Sequence, residues 1–321
     1  MRNPVPSAVD KLLELSVFGS FSRVGYETRS RLESWIDPPS MAGQRVLITG
    51  ATSGLGFEAS ARLASLGASV TFVARDDTRA RVALEALTAR SKNQHVDYVL
   101  GDTGDLVAMR RVAESVAAMG PLDVLIHNAG AISSTRTLSP QGYEVTVASQ
   151  LLGPFLLTQL LLPSLRETSP GRVLTVSSGG MYAQRFDLST LEMTEATYDG
   201  VTAYAKVKRA QLVLNHEWVH HVAASDVVFH AMHPGWTDTP GLAASLPKFH
   251  SLMKPWLRTP AQGADTLVWL AGSREVLRTS GDFWSDRHRR FENKVPWTRS
   301  PDRARDQVAL WDWCVQRTAG F

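Results

Sequence analysis

The chain predicts a doubly wound α/β fold, with one parallel sheet covered by helices on both faces in a single domain that carries an N-terminal helical extension. Three observations carry this. From Gln44 onward, short β-branched runs alternate with longer helical stretches, the pattern of repeated βαβ units. Runs such as VLITG and LDVLI are apolar throughout, as strands must be when both sheet faces are covered. The first of those strands runs straight into the glycine-rich segment TGATSGLG, at the carboxyl edge where such sheets bind ligands.

Taken in order, residues 1–43 form the extension. They offer a helical pattern at Leu12, Leu13, Val17 and Phe18 and a second from Tyr26 to Trp35, closed by Pro38 and Pro39. The polar face of the first stripe is not strongly basic. Packing on the body or on a partner chain is therefore expected ahead of peripheral contact with a membrane surface. Residues 44–321 are expected to form the α/β body. RVLITG is followed by a helix from Gly54, SVTFVAR by a helix near Ala80, and HVDYVLGD by a helix near Val107. LDVLIHNAG leads into LLGPFLLTQLLLPSL, Leu151 to Leu165, which holds two prolines and is short for a bilayer span, so a buried helix is expected and no transmembrane segment. RVLTVSS, a helix from Tyr204, and VVFHAMHPG complete the series. The tail, with Trp297, Trp311 and Trp313, is expected to pack as a helix on the body, and the basic run Arg287 to Arg290 to be a solvated face.

Composition excludes several functions. Apolar residues make up 44% of 321 and charged residues 20%, enough for a large core and too little charge for wholesale disorder. The net charge of +3 is dispersed and forms no stripe for nucleic acid. Cys314 is the lone cysteine, and Pro4, Pro6 and Asp10 interrupt any secretory apolar run, so a reducing compartment, the cytoplasm, is expected.

The chemistry-bearing residues cluster at strand ends. Gly50, Gly54 and Gly56 let the backbone turn tightly and approach a pyrophosphate seated on the amino end of the next helix. The second strand ends at Ala74-Arg75, where an acidic residue would grip the ribose of NAD. A small neutral residue followed by a planar guanidinium suits a 2′-phosphate instead, which favours NADP(H) over NAD(H), against the pull of the adjacent Asp76. Tyr204 and Lys208, four apart, share a helix face. A nearby ammonium lowers the pKa of a tyrosine, which otherwise titrates near ~10, and makes it a usable acid or base. Ser178, at a strand end upstream, is placed to hold a substrate oxygen beside Tyr204.

TGATSGLG, HNAG, VSS, YAKVK and HPG occur here in the order that resembles the short-chain dehydrogenase/reductase superfamily, over about Gln44 to Asp286. A narrower kinship inside it rests on SSGGM, on HPGWTDTPG followed by LPKFH, on AQGADTLVWLA, and on an extension before the first strand. The resemblance implies a Rossmann-type sheet of about seven parallel strands and reversible hydride transfer between a nicotinamide and a small-molecule alcohol or carbonyl substrate. It implies that Thr49, Gly50, Ser53, Gly54, Leu55 and Gly56 form the cofactor loop and that Arg75 selects the phosphate. By the same resemblance Asp102 and Thr103 would lie beside the adenine, and Asn128, Ala129 and Gly130 would flank the ribose. It implies that Ser178, Tyr204 and Lys208 are catalytic, with Tyr204 and Lys208 also touching the cofactor, and that Pro234, Gly235, Thr237 and Thr239 hold the carboxamide. Pro240 to Arg258 resembles the substrate lid, and Leu151 to Leu162 a helix that pairs between subunits of a homo-oligomer. Two positions depart: His127 replaces an Asn, and Gln150 stands where a relay Asn is usual, which opens the alternative of a cofactor-binding protein with impaired turnover.

Two further constellations stand beside this reading. His216-Glu217-Trp218-Val219-His220 spells H-E-x-x-H, the zinc-peptidase pattern, with His221, His230 and His233 downstream. It lies on the helix of Tyr204 and Lys208, so histidines on a partly exposed face are expected instead and no metal is assigned. Met181, Tyr182, Trp236, Leu242, Phe249 and Trp256, on loops after the catalytic strands, either wall a lipophilic pocket or pack on one another.

Overall fold

The computed structural model describes residues 8–168 and 170–321; Pro4 and Pro6 lie outside them. Eight strands form one sheet in the order β3-β2-β1-β4-β5-β6-β7-β8. These are β1 (Arg45–Thr49), β2 (Ser69–Ala74), β3 (Val96–Leu100), β4 (Val124–His127), β5 (Gly171–Val176), β6 (Val227–Met232), β7 (Phe283–Ser285) and β8 (His288–Arg289). The first seven pair in parallel, as expected, and β8 turns back antiparallel on β7. The winding reverses between β1 and β4, which places the ligand crevice beyond the carboxyl ends of those strands.

The helices, in chain order, are α1 (Ala8–Glu14), α2 (Val17–Phe21), α3 (Arg23–Leu32), α4 (Gly54–Ser65), α5 (Asp77–Ser91), α6 (Leu106–Ala117), the single turn α7 (Val145–Val147), α8 (Gly153–Arg166), α9 (Gly200–His221), α10 (Pro240–Ser245), α11 (Pro247–Met253), α12 (Pro260–Gly272) and α13 (Arg303–Thr318). Alternation along each strand builds two cores. Val46 and Ile48 face α4, α5 and α12, whereas Leu47 and Leu125 face α6, α8 and α9. Each such Leu or Ile contributes about 1.5–3 kcal/mol by burial.

The apolar segment is a core helix. Val145–Arg166 is long and apolar enough to cross a membrane by length and composition, but its most apolar 18 residues are 67% buried within the molecule. Leu151, Leu152, Leu156, Leu157 and Leu161 fill the second core. The tail packs as predicted: Trp311 on α13 stacks on His221 with ring centroids 3.6 Å apart, while Trp297 lies outside the helix and is exposed.

The extension docks on the body by a route its sequence does not suggest. Leu12, Val17 and Phe18 stay exposed and Leu13 is only half-buried, so the apolar stripe is not the docking face. Buried charge does that work. Arg29 Nε donates to Asp10 at 2.6 Å and its Nη1 to Asp286 at 2.7 Å, all three side chains being 2% exposed or less. Asp286 and Arg287 are the two-residue loop joining β7 to β8, with φ of +52° and +56°, a type I′ hairpin turn. The run Arg287 to Arg290 is accordingly not a solvated face. Arg287 pairs with Asp265, His288 with Glu33 and Arg290 with Asp10, and only Arg289 is exposed. Acids from the extension and α12 pair with the buried arginines of this run, which makes their burial tolerable.

Candidate active site

At the end of β1 the chain turns through Gly50 and Gly54, with φ of +72° and +60°, a backbone that side chains rarely adopt. Ser53 stands at the N-cap of α4 without a side-chain cap bond, so the first amides of this 12-residue helix keep their capacity for an anion. Gly56 packs on the Gly50 carbonyl, where a Cβ would overlap. Thr49 turns inward instead of facing the crevice. Its hydroxyl accepts from Asn128 N at 3.1 Å and Ala129 N at 3.0 Å, and Asn128 Nδ2 donates to the carbonyls of Thr49 and Gly50, both at 2.9 Å. These two residues tie β1 to β4; Leu55, Asn128 and Gly130 reach the cavity described below.

Arg75 is exposed at the end of β2. The adjacent Asp76 is engaged elsewhere: its carboxylate caps α5 by accepting from Arg79 N at 2.8 Å. Asp102, exposed after β3, accepts from Gly104 N at 2.8 Å, with Thr103 half-buried beside it.

Ser178, Tyr204 and Lys208 come together at one cavity. Asp199 caps α9 through Thr202 N at 2.8 Å, and the helix then carries Tyr204 and Lys208 past the end of β5. The Ser178 and Tyr204 side chains both border the cavity described below. Lys208 Nζ lies 5.2 Å from the Tyr204 ring centroid and donates to Val176 O at 2.8 Å, while the Lys208 carbonyl accepts from Ser177 Oγ at 3.1 Å. The electrostatics differ from the simple expectation. Burial pushes the Tyr204 hydroxyl up, with the nearby Ser178 hydroxyl acting against it, and burial pulls the Lys208 ammonium down to about 7. The ammonium turned toward Val176 does not overcome desolvation of the phenolate.

Gln150 sits in a π-helical turn, Ala148–Leu152, a distortion that recurs at functional sites. Its Nε2 donates to Ala131 O at 2.8 Å, and its backbone carbonyl accepts from Gln211 Nε2 at 2.6 Å. Its Oε1 is buried and faces Gly130: a Cβ on Gly130 would stand 2.7 Å from Oε1 and 3.3 Å from Lys208 Nζ. His127 is a core residue, its Nε2 2.7 Å from Thr158 Oγ1, and burial lowers its pKa to about 3.

After β6, Gly235 has a φ of +76° and a Cβ there would overlap the Arg258 guanidinium. Thr237 Oγ1 donates to Pro234 O at 3.2 Å, and Thr239 caps α10. Arg258, which sequence reasoning passes over, holds this turn through Pro234 O at 3.2 Å and is itself held by Asp286 at 2.6 Å. No local motif marks it, because its partners come from distant parts of the chain.

A cavity of about 490 Å³ opens at Tyr204, walled by Trp236, Leu242 and Phe249 and also by Val17 and Phe21 of the extension. Met181 and Tyr182 do not wall it, since both are buried with Leu212 and Phe283 in a third small core. Trp256 lies outside, edge-on to Phe18 at 5.2 Å. A wider groove of about 1170 Å³, bordered by Arg209, Glu292 and Arg303, contains none of the predicted site residues.

The H-E-x-x-H side chains do not converge. His216 pairs with Glu292 at 2.8 Å, Glu217 with His221 at 3.0 Å, and His230 with Val276 O at 2.9 Å. Among the described residues no group of three or more His, Cys, Asp or Glu is placed to hold a metal. A dinucleotide does fit: the uncapped amides of α4 face the turn of Gly50 and Gly54, and the buried Gln150 Oε1 and the Lys208 amine meet at Gly130.

Comparison with known proteins points the same way. The profile described as short chain dehydrogenase matches residues 44–248. Human dehydrogenase/reductase SDR family member 12 is 37% identical over 246 residues, 76% of this chain and 77% of that protein, and carries the narrower kinship noted above. Mouse retinol dehydrogenase 14 is 32% identical over 269 residues, 78% of this chain and 80% of that one. A short chain dehydrogenase from Shigella flexneri, solved with NADP, superposes with a TM-score of 0.63 at 22% identity, covering 78% of this chain and all of that one.

Proposed function

This chain belongs to the short-chain dehydrogenase/reductase family and is an oxidoreductase that interconverts CH–OH and C=O groups with a nicotinamide dinucleotide, and on that premise we propose that it prefers NADP(H) and acts on an apolar alcohol or carbonyl compound. The convergence of Ser178, Tyr204 and Lys208 on one apolar-walled cavity is the observation that carries this reading. The exposed Arg75, beside an Asp76 already engaged in capping α5, supports the preference for a 2′-phosphate.

The amides at the start of α4 and the turn of Gly50, Ser53, Gly54, Leu55 and Gly56 would hold the pyrophosphate. Asp102 and Thr103 would lie by the adenine, Asn128, Ala129, Gly130 and Lys208 by the ribose, and Pro234, Gly235, Thr237 and Thr239 by the carboxamide. When bound, the nicotinamide supplies or accepts the hydride. In the reducing direction Ser178 Oγ donates to the substrate carbonyl and fixes it beside Tyr204. Tyr204 gives its hydroxyl proton to that oxygen as negative charge develops there. A protonated Lys208 favours the resulting phenolate. The Gln150 amide, facing Lys208 across Gly130, orients the path by which the proton is replaced. The apolar walls exclude water from the reacting carbon.

One observation favours a second reading, a cofactor-binding protein with impaired turnover: the Gln150 amide is anchored on Ala131 O rather than presented wholly to the cavity. A panel of apolar alcohols and aldehydes, each with NADPH, NADH and their oxidised forms and followed by nicotinamide absorbance, tests both. Turnover with a preference for the phosphorylated cofactor supports the first reading; cofactor binding without turnover supports the second. The buried Cys314 supports a reducing, cytoplasmic setting.

A further inference from the structure

The family match ends at residue 248 and begins at 44, yet the cavity at Tyr204 is walled in part by Val17 and Phe21, which lie before it. Phe21 is 8% exposed, its ring edge-on to His233 at 4.4 Å and to Trp236 at 5.7 Å. The backbone is joined at the same place: Trp236 N donates to Phe21 O at 2.8 Å, and Arg258 N donates to Trp236 O at 2.7 Å. Below them the Arg258 guanidinium donates to the carbonyls of Ser20 and Ser22 at 3.0 and 3.2 Å, to Pro234 O, and to Asp286. Arg29 closes the cluster by donating to Asp286 and to Gly19 O at 3.0 Å.

A five-residue helix such as α2 does not hold its own shape in water, so these partners set its position. They also hold the turn of Pro234 to Thr239. One buried cluster therefore fixes the substrate wall and the cofactor turn relative to each other.

We propose that α2 is a built-in part of the substrate site and that Val17 and Phe21 are specificity-determining residues that bound the apolar part of the substrate. The inference rests on reading the Tyr204 cavity as the substrate site. Val17 stands at the rim, 62% exposed, and Phe21 lies inside. Neither offers a polar atom from its side chain, so together they favour an extended aliphatic or ring-bearing substrate over a small charged one.

The test measures kcat/KM of the full chain for straight aldehydes from four to ten carbons with NADPH. Val17→Trp narrows the rim without disturbing a core. It is expected to lower the ratio of kcat/KM for the longest aldehyde over the shortest by about tenfold, the scale on which apolar pockets discriminate, with NADPH affinity as the folding control. Phe21→Leu is expected to shift the optimum toward longer chains. A ratio unmoved in both variants overturns the assignment. If the parent turns over none of the panel, the catalytic reading fails by itself, and equilibrium binding of the matching alcohols, read by tryptophan fluorescence, decides the inference. Length-dependent weakening in Val17→Trp upholds it; equal weakening at every length, or no binding to the parent, overturns it.

Discussion

Gln150 and Lys208 flank the bare backbone of Gly130, their Oε1 and Nζ lying 2.7 and 3.3 Å from the point a Cβ would occupy. The Gln side chain thus already places an amide oxygen at the same glycine as the amine. Gln150→Asn should change kcat by less than about threefold, whereas Gln150→Leu, which removes the amide, should lower it at least about tenfold, within the range of lost acid–base assistance. Steady-state rates at saturating cofactor check this. A tenfold gain in the Asn variant would instead mark the natural site as impaired.

Tyr204→Phe removes the proton donor while leaving the ring and its place on α9. Turnover should fall by roughly 10²–10⁴, and cofactor affinity measured by fluorescence titration should stay within about threefold. A variant that reduces substrates as fast as the parent would remove Tyr204 from the chemistry.

Arg75→Ala deletes the cation at the end of β2. The preference for NADPH over NADH should shrink by about tenfold or more, on the scale of a lost charge-assisted hydrogen bond. Dissociation constants for both cofactors measure it, and an unchanged ratio would exclude Arg75 from the phosphate.

Lys208 gives a pH signature in stability. Its amine titrates near 7 in the folded chain against an ordinary value of 10.5. Between those values the unfolded chain holds a proton the folded one lacks, so stability rises with pH there; below about 7 both forms are protonated and this contribution to the slope vanishes. Urea midpoints should therefore climb from pH 7 to 9 in the parent more than in Lys208→Met. Parallel slopes would mean that the folded amine stays charged.

The parts legible from sequence were local ones. The glycine turn, the strand ends and the Tyr204–Lys208 spacing are each written within a few residues, and the alternation of strands with helices gives the parallel sheet, whereas the strand order comes from pairings between distant segments. What stayed hidden depends on partners far along the chain. Arg287 to Arg290 reads as a solvated run until Asp10, Glu33 and Asp265 are seen to surround it. Tyr182 reads equally as a pocket wall or as packed on its neighbours until Phe21, stacked on it at 5.9 Å, is seen to cover it. Arg258 has no motif at all. Thr49 and Asn128 match ligand-binding positions, yet their side chains are spent mainly on joining two strands, a role that position alone does not disclose.

The pairing of Arg29 with Asp286 spans 257 residues. During synthesis the extension leaves the ribosome long before the hairpin that anchors it, so Arg29 then has only the acids of its own segment, Asp10 and Glu14, to pair with, and Phe21 lacks His233 and Trp236. The wall of the cavity is thus set in place after nearly the whole sheet has been made, and contacts of such long range form slowly. Until then the Tyr204 cavity lacks the side that Val17 and Phe21 supply, so the first part of the chain to be made is among the last to be seated.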